Sequence, residues 1–155
     1  MNFANLDQLT IAGYVLLAMF LGGLLGLERE YADKPAGLRT HILVAGAAAL
    51  FVALSGIAVT QFHVDLGDSV VRTDPIRIMQ AVITGVSFLG AGTILRHGAA
   101  GGVEGLTTAA SILVAAGLGI CVALSQLVLA ISVTILALII LRGVPYIERR
   151  LIRHK

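Results

Sequence analysis

Charge is what this sequence has least of. Only 13% of its 155 residues are Asp, Glu, Lys or Arg, while 57% are hydrophobic. An ordinary soluble domain carries about 25% charged and roughly 45–50% apolar residues. So few polar side chains cannot cover a water-facing surface, and Leu, Ile, Val, Ala and Gly run in stretches too long for amphipathic surface helices. A soluble enzyme is therefore not expected, and the solvent for these stretches is lipid. Cysteine is nearly absent too. With Cys121 alone there is no intrachain disulfide or cysteine metal pair to form, which leaves packing as its role. Basic residues are missing from the N-terminal part, the first being Arg29. A secretory signal peptide needs a basic segment ahead of its apolar stretch, so the first apolar run is expected to remain in the mature protein. The length allows one small domain.

What is present is a succession of apolar segments. Taking about 20 residues per crossing, with shorter ones possible in a tightly packed bundle, five segments are read: Leu9 to Leu27, His41 to Gln61, Ile76 to Leu95, Leu106 to Val122 and Leu127 to Leu141. The expected fold is all-α, an integral membrane bundle of about five transmembrane helices over residues 1–142, followed by a basic tail at 143–155. Only Ala123 to Gln126 separate the last two segments, which predicts a tight helical hairpin or one re-entrant unit. Five crossings gather Arg29, Lys34, Arg39, Arg96, Arg142, Arg149, Arg150, Arg153 and Lys155 on one face, nine of the eleven basic residues; only Arg72 and Arg77 fall on the other. Because basic flanks are retained inside, the N-terminus is expected outside and the C-terminus and its tail in the cytoplasm.

Helix boundaries and packing faces are marked by local chemistry. Asp74 before Pro75 reads as a helix start, since a carboxylate accepts from orphan amides and proline loses nothing at the first helical position. Thr107 after Gly105 reads the same way. Pro35, Gly37 and Thr40 break the chain between the first two crossings. Ala18, Gly22 and Gly26 form one stripe of small residues at helical spacing, and Ser111, Ala115 and Gly119 another. Such stripes let helix backbones approach closely in lipid and predict a compact bundle.

Three polar features stand out. Arg77, Gln80, Thr84 and Ser87 follow one another at intervals of three, four and three residues, along one side of a helix. That side lines either a buried hydrogen-bond network or a permeation path, because polar groups in hydrocarbon turn towards the bundle interior or a wet cavity. Gly90 to Thr93 is a weak helix former that either unwinds to expose carbonyls to a cation or serves as a helix end. Glu28, Arg29, Glu30, Asp33, Lys34, Arg39 and His41 crowd the inner mouth. This group reads either as salt bridges fastening the first loop or as carboxylates for a hard cation such as magnesium. No nucleophile, base and orienting group stand at a recognisable spacing, and no phosphate-binding glycine loop with its lysine is present. His63, His97 and His154 are isolated. Enzymatic activity, a cofactor and nucleic-acid binding are not expected.

The stretches GLLGLEREYADKPAGLRTHILV (Gly23 to Val44, with Gly22 before it), DPIRIMQAVITGVSFLGAGTIL (Asp74 to Leu95) and GLTTAAS (Gly105 to Ser111) resemble the three signature regions of the MgtC/SapB family, in the family's order. The resemblance implies a membrane domain of about five crossings. It marks as functional-motif candidates Glu28, Arg29, Glu30, Pro35, Gly37, Arg39, Thr40 and His41 in the first region. In the second it marks Asp74, Arg77, Gln80, Thr84, Gly90, Gly92 and Thr93, and in the third Gly105, Thr107, Thr108 and Ser111. Many relatives carry a soluble C-terminal domain of the ACT type, whereas this sequence continues only from Arg142 to Lys155 after the fifth segment; functions residing in that domain are expected to be absent. Leu113 stands where the family often has Trp.

The resemblance further implies a multi-pass protein of the bacterial inner membrane, concerned with magnesium or ion homeostasis and adaptation to low magnesium, in a family associated with virulence. It implies action through a membrane partner, the ATP synthase or a transporter, with a homo-oligomer and a bound magnesium ion as further expectations. Two readings stand side by side: a regulatory module that binds another membrane protein, and a small oligomeric transporter or channel for magnesium or protons.

Overall fold

The computed structural model describes residues 3–66, 75–96 and 103–152. Five helices occupy nearly all of it: α1 (Phe3–Tyr31), α2 (Leu38–Leu66), α3 (Pro75–Gly92), α4 (Leu106–Ala123) and α5 (Leu127–Ile152). Between α3 and α4 lies a small antiparallel pairing of β1 (Leu95–Arg96) with β2 (Val103–Glu104), Leu95 opposite Glu104 and Arg96 opposite Val103. The expected five segments are thus five helices. Four of them are long and apolar enough to cross a membrane. In α3 the apolar part is the shorter Ile76–Gly92; the whole helix of 18 residues reaches about 27 Å at about 1.5 Å per residue, slightly under a bilayer core of about 30 Å. Beyond the last apolar turn α5 continues as helix through Pro145 to Ile152.

The outside of the bundle is apolar, as lipid requires. Val128 and Phe88 are each 81% exposed, and Leu16, Phe20, Leu43, Phe51, Ile135, Ile139 and Ile140 also face outward. A soluble monomer would not present so continuous an apolar surface. Small residues, by contrast, hold the centre. Helix α4 touches each of the other four helices, and its two sides serve two cores. Leu118 and Val122 pack with Ala18, Leu21 and Leu25 of α1, Ala49 of α2 and Ala130 and Leu141 of α5. Ile112, Ala115 and Ala116 pack with Val44, Ala45 and Ala48 of α2, with Val82 and Val86 of α3 against them.

Both small-residue stripes are buried and both face α2. A Cβ added to Gly22 would lie 2.6 Å from the Ala45 Cβ and 2.6 Å from the His41 carbonyl oxygen; one added to Gly26 would lie 2.8 Å from the Leu38 Cα. Gly119 of α4 rests on the backbone of Ala45 and Ala49. Close backbone approach replaces the hydrophobic drive that lipid removes. Cys121 is half-buried and packs beside the first core.

Two helix ends share one device. Asp33 (φ 58°) and Ser125 (φ 59°) are left-handed residues placed just after α1 and α4. The amides of Asp33 and Lys34 donate to Glu30 O and Arg29 O, and those of Ser125 and Gln126 to Val122 O and Cys121 O. This is the Schellman closure, which satisfies carbonyls the helix leaves unpaired, and Pro35 follows where a helix could not continue. The second closure forms the expected tight turn between α4 and α5, and its Ser125 hydroxyl lies 3.3 Å from the Tyr14 hydroxyl.

Three boundary expectations are corrected. Helix α4 is capped by Gly105 itself, in a left-handed conformation (φ 89°) with no side-chain cap; Thr107 lies inside the helix and caps nothing. The reason is steric: a Cβ at position 105 would overlap the Thr93 carbonyl, so only glycine lets the returning strand close on the end of α3. Thr40 lies in the first turn of α2 and does not interrupt it. The third crossing ends at Gly92, not Leu95, and it does so as intact helix. Thr93 caps it, donating both its amide (3.0 Å) and its hydroxyl (2.8 Å) to Gly90 O, so Gly90 to Gly92 are not unwound. Pro75 does open α3, while Asp74 lies outside the described residues.

Candidate functional site

The buried polar residues concentrate at one end of the bundle, where α1 ends and α2 and α4 begin. Arg29 is 3% exposed and His41, Thr108 and Ser111 are buried with it. Arg29 falls on the same side of α1 as Ala18 and Gly22 and so is carried inward against α2. Its guanidinium meets the neighbouring Glu28 carboxylate through two bonds, Nε to Oε2 at 2.6 Å and Nη2 to Oε1 at 2.9 Å. Positive charge in the last turn of α1 also suits the negative end of the helix dipole.

His41 is fully buried beside them. Gly26 makes room for it, since a Cβ there would lie 2.8 Å from the His41 Cβ. The ring Nδ1 is 2.9 Å from the Gly37 carbonyl, one turn back along the chain, and Nε2 is 3.0 Å from the Ser111 hydroxyl on α4. The Ser111 hydroxyl in turn lies 2.8 Å from Thr108 O. A continuous polar chain therefore ties the start of α2 to the start of α4, with the Glu28–Arg29 pair within electrostatic reach of the ring.

Glu28 and Glu30, two residues apart, are sent to different tasks. The exposed Glu30 reaches over the loop so that its Oε2 accepts the Leu38 amide at 2.8 Å, which caps α2 from the preceding helix. Gly37 is small because a Cβ would lie 2.8 Å from that same oxygen. Glu30→Ala should therefore lower stability by about 1 kcal/mol, the usual effect of losing a cap, measurable as a fall in the thermal unfolding midpoint of detergent-purified protein. Glu30→Asp, too short to reach, should behave like the alanine variant. Among the described residues no three His, Cys, Asp or Glu side chains gather as a metal-holding group, and the salt-bridge alternative describes Glu28 and Arg29.

The other sequence candidates divide. Thr108, Ser111, Gly37 and His41 come together with Arg29; Arg39 is exposed and Thr40 half-buried. No hydrogen bond or ion pair among the described residues joins Arg29 to Gly90, Gly92 or Thr93; α3 packs on α4 and α2. The polar stripe of α3 is not the buried network that was one expectation. Arg77, Gln80, Thr84 and Ser87 all lie on the outer surface, opposite the inward Val82 and Val86. The Thr84 and Ser87 hydroxyls donate to Gln80 O and Ile83 O of their own helix. Beside this stripe an apolar groove of about 800 Å³ separates α3 from α2, lined by Leu43, Ala47, Phe51, Leu54, Val82 and Leu89 among others. Sequence reasoning missed the link between His41 and Ser111; the spacing Thr108–Ser111 on the inward face of α4 was its one local signal.

The profile of the MgtC family matches residues 15–150. An uncharacterized protein of Haemophilus influenzae is 38% identical over 145 residues, which is 94% of this chain and 60% of that protein. Protein MgtC of Salmonella typhimurium is 41% identical over 124 residues, 80% of this chain and 48% of its own length. YhiD of Escherichia coli K12, provisionally named a magnesium transporter, is 39% identical over 127 residues, covering 82% of this chain and 57% of YhiD. The chain thus spans about half to three fifths of the relatives it matches. No solved structure matches it. Three signature stretches, a bundle of apolar helices and a profile that covers nearly the whole chain agree: this multi-pass membrane protein belongs to the MgtC family.

Proposed function

We propose that the chain is an inner-membrane protein of magnesium homeostasis that acts by binding another membrane protein, with α3 as its contact helix. The outward polar side of α3 is the observation that carries this reading. Arg77, Gln80, Thr84 and Ser87 lie on the exterior of an otherwise apolar bundle, and polar side chains at membrane depth face protein or water, not acyl chains. The magnesium connection rests on the names of the relatives MgtC and YhiD. By family resemblance the partner is the ATP synthase or a transporter. The orientation that fits the basic residues places the Glu28–Arg29 end in the cytoplasm.

A second reading has the same observation behind it: copies of the chain could face one another across α3 and line a path for magnesium or protons. Magnesium and proton flux into liposomes holding the purified protein separates the two. Under the partner reading the flux equals that of empty liposomes. The variant Arg77→Leu, Gln80→Leu, Thr84→Val, Ser87→Ala keeps its fold, because these side chains pack on nothing in the bundle core. It is expected to fail to rescue growth at low magnesium. Flux above empty liposomes that this variant abolishes would replace the partner reading with the transporter; full rescue of growth by the variant would remove α3 as the functional surface.

A further inference from the structure

The polar chain at the α2–α4 junction contains three hydrogen-bonding contacts but, with a neutral imidazole, only two protons to fill them. The Gly37 carbonyl can only accept, so the proton of a neutral His41 ring sits on Nδ1 (2.9 Å) and Nε2 is left as an acceptor. The Thr108 carbonyl likewise can only accept. Ser111 has one hydroxyl proton and two claimants for it: Nε2 of His41 at 3.0 Å and Thr108 O at 2.8 Å. With the ring neutral, one of these two contacts lacks a hydrogen. A proton on Nε2 supplies it, and the chain then runs without a gap from Gly37 O through both ring nitrogens and Ser111 to Thr108 O.

We propose that His41 is a proton-binding site, and that taking up a proton on Nε2 moves the Ser111 hydroxyl from the imidazole to the Thr108 carbonyl, so that every contact of the chain carries a hydrogen and the imidazole becomes the donor across the α2–α4 junction. One proton comes from a solvent hydronium ion, which leaves as water, the Nε2–H bond forms, and the serine keeps its own proton while rotating. The charged groups acting on the ring are Arg29 and Glu28 of α1, already paired with each other; α4 presents only Ser111 and Thr108. His41 lies in the first turn of α2, beside the loop. The site is distinct from the α3 surface proposed above and does not depend on it.

The test is nitrogen NMR of the whole chain, labelled uniformly with nitrogen-15 and reconstituted in lipid nanodiscs, with the His41→Gln variant identifying the His41 signals. Between about pH 8 and the acid limit at which the bundle still holds its fold, the wild type should pass from a neutral ring protonated at Nδ1, the minor tautomer of free imidazole in water, to a ring protonated on both nitrogens. The Thr108 and Ser111 amide signals should shift along the same curve. Ser111→Ala should leave His41 able to titrate but abolish the Thr108 response. A neutral ring protonated at Nε2, a ring that never titrates, or a Thr108 response that survives in Ser111→Ala would each overturn the proposal.

Discussion

Gly119→Val is expected to prevent the bundle from assembling, while Gly117→Val, two residues earlier on the same helix, is expected to be tolerated. A Cβ at position 119 would collide with the Ala45 carbonyl oxygen and lie 2.9 Å from the Ala48 Cβ and 3.0 Å from the Ala49 amide nitrogen. Two of these three are backbone atoms of α2, which cannot swing aside as a side-chain tip can. At position 117 an added Cβ would meet nothing within 4 Å. Overpacking a filled core costs about 1–3 kcal/mol where side chains can adjust; here α4 would have to lift from α2 and both cores of the bundle would open with it. Gly22→Val, set against Ala45 and the His41 carbonyl, should fail in the same way. The measurement is size-exclusion of fluorescent-protein fusions after graded heating in detergent. A Gly119→Val protein that elutes as one sharp peak, with the wild-type midpoint, would show that α4 does not pack on α2 at this register.

That register is also where legibility in the sequence ran out. The helices themselves were readable because lipid demands long apolar runs, and each run is a local property. The stripes Ala18–Gly22–Gly26 and Ser111–Ala115–Gly119 were readable because only close helix contact explains small residues at that spacing, and both are buried against α2. What periodicity cannot tell is which element a face meets. Arg77, Gln80, Thr84 and Ser87 do share a side of α3, yet that side looks out of the bundle, because Val82 and Val86 occupy the opposite side and seat it on α2 and α4. His41 and Ser111 are 70 positions apart, and they meet only because Gly119 fixes how far α4 slides along α2. The cap at Gly105 was misread for a related reason: the demand for glycine comes from the Thr93 carbonyl, a neighbour in space brought there by the β1–β2 turn.

Glu28→Gln should destabilise the protein severely, although it changes one oxygen to nitrogen. The carboxylate it removes is the one that both Arg29 bonds reach, and the Arg29 side chain is almost wholly out of contact with solvent. Stranding one member of a buried ion pair costs about 3–5 kcal/mol, a large part of a typical folding free energy of about 5–15 kcal/mol. Arg29→Lys should be harmed nearly as much, because an ammonium is a single point of charge and cannot hold both carboxylate oxygens at once. The double change Glu28→Leu with Arg29→Met should recover most of the loss, since a buried pair replaced by apolar side chains of similar size is often neutral or stabilising. The contrast is the signature of the pair: altering one member alone is harmful, and replacing both by apolar side chains is mild. Arg39→Lys, on an exposed side chain, is the control and should stay within about 0.5 kcal/mol of the wild type. Thermal unfolding of the four variants in nanodiscs reads all of this directly. If Glu28→Gln and Arg29→Lys both melt with the wild type, water reaches the pair and screens it, and Arg29 then serves the membrane boundary only as a positive charge that any lysine could supply.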